Sequence, residues 1–181
     1  MKQGLTICLS KWLCIFLLML LAADARAQTK EYEIKAVFLL NFAQFTAWPT
    51  NAFADDKSPL VIGVLGDDPF GNVLELTVKN ESWMGRKIVV KRFSRANEVK
   101  NCQVLFITQS EAGRLSRIIS QFKDRQILTV SDIADAADKG VCIQIYTRNN
   151  KLRLKINLNA VKNENLTLSS KLLRVADVMS P

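Results

Sequence analysis

Pro59-Leu60-Val61-Ile62-Gly63-Val64-Leu65-Gly66 runs directly into Asp67-Asp68-Pro69-Phe70. A continuous apolar run closed by glycine reads as a strand buried on both faces. Asp68 then fits a helix N-cap and Pro69 the first helical position, opening a helix over Pro69–Lys79 that carries Phe70, Val73, Leu74 and Leu76. Downstream, Trp83–Arg86 is a turn and Lys87–Phe93 alternates as a strand. Cys102–Ile107 is a second buried strand, and Thr108-Gln109-Ser110-Glu111 has the form of a capping box. Behind it, Leu115, Ile118, Ile119 and Phe122 make an amphipathic helical stripe. Gln126–Val130 is a third buried strand, and Ser131-Asp132 caps a short helix closed by Gly140. Val141–Thr147 and Leu152–Ile156 flank Arg148-Asn149-Asn150-Lys151 as a hairpin, and a last helix carries Leu172, Leu173, Val175 and Ala176. This order predicts an α/β domain: a mostly parallel sheet of about five to six strands, helices on both faces and an antiparallel hairpin at one edge.

Upstream, Tyr32–Pro49 reads as a helix stopped by Pro49. At 100° per residue it has two apolar faces. Ile34, Val37, Phe38, Phe45 and Trp48 form an aromatic-rich stripe, with Phe42 at its edge and Asn41 near its centre. Ala36, Leu39, Leu40, Ala43 and Ala47 form a smoother face opposite. The aromatic stripe is the expected core face. Ala36, Leu40, Ala43 and Ala47 are the candidate partner or dimer surface, with internal packing under the last helix as the alternative.

Lys2 and Lys11, the apolar run Trp12–Ala23 and Ala25-Arg26-Ala27 make residues 1–27 a candidate signal peptide cleaved after Ala27, an uncleaved anchor being the alternative. Its removal takes a net charge of +2 from the +8 of the 181-residue chain and leaves residues 28–181 as one domain. The basic residues are dispersed and no nucleic-acid motif accompanies them. Of the cysteines, Cys102 and Cys142 remain after cleavage, either as one disulfide or as two buried thiols.

The chain has no histidine, which excludes the usual Ser-His-Asp and Cys-His systems and most zinc sites. No CxxC occurs, and the glycines at 63, 66 and 71 match neither dinucleotide nor P-loop spacing. Gly66, Asp67, Asp68 and Phe70 form a candidate binding crevice beyond a strand's carboxyl end; the competing reading is an N-cap and tight turn. Asp67, Asp68 and Glu75, or Asp132, Asp135 and Asp138, are carboxylate sets that local capping explains as well. No enzyme, cofactor or metal is expected from these residues.

Tyr32-x-x-Lys35-Ala36-x-Phe38-Leu39-x-Asn41-Phe42-x-x-Phe45-x-x-Trp48-Pro49 resembles the opening signature of the YfiR family of small periplasmic proteins. Further matches are Ile62–Gly71, Gly85-Arg86-x-Ile88, Cys102-x-Val104-Leu105-Phe106-Ile107, Leu128–Asp132, Ile156-Asn157 and Ser169–Ala176, in order along the chain. The resemblance implies a Rossmann-like, non-catalytic domain able to dimerise. It also implies a periplasmic role in holding an inner-membrane enzyme inactive, either a YfiN-like diguanylate cyclase or a sensor kinase, and thereby tuning cyclic di-GMP and biofilm. Lys139-Gly140-Val141-Cys142-Ile143 departs from the Gly-Gly-Met-Ile frequent in the family, so its disulfide pattern does not transfer. A small-ligand-binding periplasmic sensor using the Gly66–Phe70 crevice is the alternative function.

Overall fold

The structure, a computed structural model, describes residues 30–179; the expected signal peptide lies outside them. Helix α1 occupies residues 30–44. The strands and helices that follow are β1 (Thr46–Ala47), β2 (Leu60–Leu65), α2 (Val73–Val78), β3 (Ser82–Trp83), β4 (Arg86–Phe93), β5 (Val104–Ile107), α3 (Leu115–Gln121) and β6 (Leu128–Ser131). The chain continues through β7 (Ile143–Arg148), β8 (Lys151–Asn157), α4 (Leu158–Asn163), β9 (Thr167–Leu168), α5 (Ser170–Leu173) and β10 (Asp177–Met179). The main sheet has eight strands in the order β10-β8-β7-β6-β5-β2-β4-β3, more than the five to six expected. The extra ones are β3 and β10, too short to show a period in sequence.

The expected buried strands form the parallel centre: β2 pairs with β4 and β5, and β5 with β6. Successive side chains point to opposite faces. Leu60, Ile62 and Val64 therefore enter one core cluster and Val61 and Leu65 the other. Gly63 lies where a Cβ would meet Cys102 Sγ at 2.7 Å and Leu105 Cδ1 at 2.9 Å, so its missing side chain makes room for that second cluster. The hairpin forms as expected, with Asn149 and Asn150 at φ 53° and 56°, the left-handed pair of a type I′ turn. It is not the sheet's edge, because β10 pairs in parallel outside β8.

Several local expectations are corrected. α1 ends at residue 44, not at Pro49. Thr46 donates its hydroxyl to the Phe42 carbonyl at 2.6 Å, and Thr46–Ala47 pairs with β9 instead of continuing the helix. α2 starts at Val73, since Asp68 accepts the Phe70 amide in a local turn rather than capping a helix. The Thr108–Glu111 capping box is absent: Thr108 bonds Ser110, Glu111 pairs with Arg114, and residues Gln109–Arg114 form 3-10 turns. The segment after Ser131 is a series of turns, with Ser131 itself donating to the Ile107 carbonyl and accepting the Ile133 amide.

α1 also packs with the opposite emphasis to that expected. Ala36, Leu39 and Ala43 are 0% exposed and Phe42 1%, whereas Ile34 is 42% and Val37 46% exposed. Small alanines allow the helix axis to approach the sheet, leaving room for Phe42 to fill the core between them. Trp48 remains buried, edge-on to Trp83 at 5.5 Å, and Phe38 and Phe45 are half-buried.

Candidate functional site

A polar lock lies where α1 crosses the carboxyl ends of β5 and β6. Lys35 lies on the inner side of α1, and its side chain is 4% exposed. Its Nζ lies 2.5 Å from Asp132 Oδ2 and 2.6 Å from Glu31 Oε1. Tyr32 donates its hydroxyl to the same Asp132 oxygen at 3.1 Å, and its ring lies 4.2 Å under the ammonium. Gln109 donates to the Asp132 carbonyl at 2.7 Å. Burial alone would push the Lys35 pKa down; the hydrogen bonds that its ammonium donates to Asp132 and Glu31 outweigh it and hold the value above that of an ordinary lysine. The Tyr32 pKa is raised, first by burial and then by the Asp132 charge. Every charge in the lock faces an opposite one, so it fastens the helix and offers no free base or nucleophile. In sequence, Asp132 reads as a helix cap, a role the structure does not give it. The available signal was a tyrosine and a lysine three residues apart on a buried helix.

Beside this lock is an open cleft of about 350 Å³, bounded by Glu31, Tyr32, Lys35, Gln109, Asp132 and Tyr146. The expected crevice is a different place, and its residues are occupied by internal contacts. Gly66 has φ +99°, and a Cβ there would collide with the Thr108 and Ser110 hydroxyls. The Asp67 amide donates to Ser110 at 2.9 Å. Asp68 pairs with Arg92 at 2.6 Å, and Arg92 also binds Glu75 and the Gly71 carbonyl. Phe70 is core, edge-on to Tyr32 at 5.3 Å and to Phe106 at 5.0 Å.

The candidate partner surface is also divided. Ala36 and Ala43 are wholly buried, Leu40 is half-buried and Ala47 is exposed, so the four do not make one outer face. The outer face of α1 is instead the strip Ile34, Val37, Phe38 and Asn41, with Phe45 just beyond the helix end. The Asn41 side chain forms no hydrogen bond among the described residues.

Cys102 and Cys142 are free and buried, which corrects the disulfide alternative. They belong to different core clusters, on opposite faces of the sheet, so the sheet itself separates the two sulfurs. Burial raises the Cys102 thiol to about 12 and the Cys142 thiol to about 11. Among the described residues no group of three His, Cys, Asp or Glu side chains could hold a metal ion, and no helix is long and apolar enough to cross a membrane.

The family model described as YfiR/HmsC-like matches residues 32–177. No curated protein matches the chain. Among solved structures, a conserved domain protein from Vibrio cholerae O1 biovar eltor str. N16961 is similar at 13% identity and a TM-score of 0.49; the alignment covers 66% of this chain and 54% of that one.

Proposed function

Because the chain belongs to the YfiR/HmsC-like family, we propose that it is a periplasmic regulatory binding protein. In this reading it inhibits an inner-membrane signalling enzyme of the diguanylate cyclase type by direct contact, and so tunes cyclic di-GMP and biofilm formation. Residues 1–27 are its export signal, and it acts without catalysis of its own.

The observation that carries the reading is the exposed apolar strip on the helix that bears the family signature. Ile34 and Val37 are the most exposed apolar residues of α1, and they stand one turn from Phe38 and Asn41. An apolar centre with a polar rim is the usual anatomy of a contact surface. Inhibition through it requires tighter binding to the inactive state of the enzyme than to the active one. The same strip suits a second copy of the chain, so release from the enzyme and self-association are in competition. The test is deletion of the gene followed by complementation with wild type or with Ile34→Asp/Val37→Asp. Cyclic di-GMP and attachment should rise on deletion and be restored only by wild type. Unchanged cyclic di-GMP in the deletion would sink the proposal.

A small-ligand sensor is the second reading, and one observation favours it: the cleft beside Lys35 and Asp132 lies at strand carboxyl ends, the usual ligand position in open α/β sheets. A metabolite that raises the melting temperature of wild type but not of a variant filling this cleft would support it.

A further inference from the structure

We infer that the groove between residues 95–97 and the outer face of α3 is an oxyanion site that takes the phosphoryl group of a small phosphate ester or of a lipid headgroup. This inference is independent of the contact surface proposed above. The groove has a volume of about 310 Å³ and is lined by Arg95, Asn97, Glu111, Arg114, Arg117 and Gln121. That volume falls at the small end of ordinary ligand pockets.

Three guanidinium groups face this small groove against one lining carboxylate, Glu111, so the lining keeps a net positive charge. Two of the three are fixed in advance by carboxylates. Glu111 is 3% exposed and holds Arg114 through both Nε and Nη2, each at 2.7 Å. Glu98 accepts Arg95 Nε at 2.8 Å and also takes the amides of Ser94 and Arg95, which ties the carboxylate to the backbone. These contacts leave both terminal nitrogens of Arg95 and Nη1 of Arg114 without a hydrogen bond among the described residues. Arg117 has no ion pair there at all, and it stands one helical turn from both Arg114 and Gln121.

The free donors come from two segments of chain, on two sides of the groove. A carboxylate is planar and is satisfied by one guanidinium fork. A phosphoryl group presents oxygens in several directions and draws several charge-assisted donors together. Prefixed arginines also lose less side-chain freedom on binding than loose ones. The phosphoryl group is therefore the better match to this donor set.

The test is an NMR titration of the full mature protein with inorganic phosphate and with glycerol 3-phosphate, at ionic strength held constant with chloride. A parallel arm measures sedimentation with vesicles of phosphatidylglycerol against phosphatidylcholine. Saturable shifts confined to the amides of 95–97 and 114–121 are expected, weakened about tenfold in Arg117→Gln and in Arg95→Gln, as loss of one charge-assisted contact implies. Both residues are exposed, so unchanged melting temperatures will show that the variants fold. Saturation by the soluble esters assigns a free ligand. Binding only to phosphatidylglycerol vesicles, lost in both variants, assigns a headgroup. No saturable shift and no vesicle binding, or binding that both variants retain, overturns the site.

Discussion

Lys35 Nζ and Asp132 Oδ2 are 2.5 Å apart, in residues separated by 97 positions, with side chains 4% and 6% exposed. This pair joins the chain's signature helix to the carboxyl end of the central sheet.

Removing one partner strands a buried charge. Lys35→Met or Asp132→Leu alone should each cost about 3–5 kcal/mol, whereas the double variant should recover much of the loss. Urea denaturation of the four proteins in a double-mutant cycle measures the coupling. A double-variant cost equal to the sum of the two single costs would mean that the pair is not coupled. The raised Lys35 pKa means that its contribution is complete below the unfolded value and disappears only as pH rises through the folded one, so this difference should be flat across neutral pH.

Ala43→Leu separates the two assignments of the alanine face. In the close contact seen here, added methyl groups have no space, and overpacking should cost about 1–3 kcal/mol. Ala47→Leu, on an exposed position, should change stability by less than about 0.5 kcal/mol. Thermal or urea unfolding reads both.

On the outer strip, Asn41→Leu should leave the melting temperature unchanged, because no hydrogen bond is left unpaired. Ile34→Asp/Val37→Asp should likewise fold, yet fail to restrain cyclic di-GMP in cells. Loss of folding in the aspartate variant would show that the strip is structural.

The two thiols should resist a thiol reagent in the native protein and react together on unfolding, since only the thiolate attacks. Both pKa values are raised, so each thiol's contribution to stability is full below the unfolded value of about 8.5 and falls as pH rises toward about 11 and about 12. Cys102→Ala/Cys142→Ala should flatten that alkaline decline, read as the denaturation midpoint from pH 8 to 10.5.

Phe42→Ala should cost about 3–5 kcal/mol, the range for emptying a large core position. The same change at the half-buried Phe38 should cost clearly less, and chemical denaturation compares the two.

The parallel centre of the sheet was legible because β2, β5 and β6 are apolar on both faces, which few other environments permit. The inward face of α1 was not, because periodicity finds two apolar faces without ranking them. The ranking depends on how near the helix axis comes to the sheet, and Ala36 and Ala43 decide that only once the sheet is present. Lys35 and Asp132 were hidden by their separation in sequence, and each has a local explanation as good as the true one. The cysteines were ambiguous because one face of a sheet cannot be told from the other without the register of both strands. The arginine groove escaped notice because Arg95 and Arg117 meet only after β5 has placed α3 beside residues 95–97.

The pairing of β1 with β9 bears on how this chain matures. α1 and β1 are the first described elements to leave the ribosome, but Asp132, which anchors α1, and Thr167–Leu168, which pairs with β1, follow much later in the chain. Until those later segments are made, Lys35 and the strand Thr46–Ala47 lack the partners they have in the folded domain. Such a nascent segment attracts chaperones and neighbouring chains until its late partners arrive.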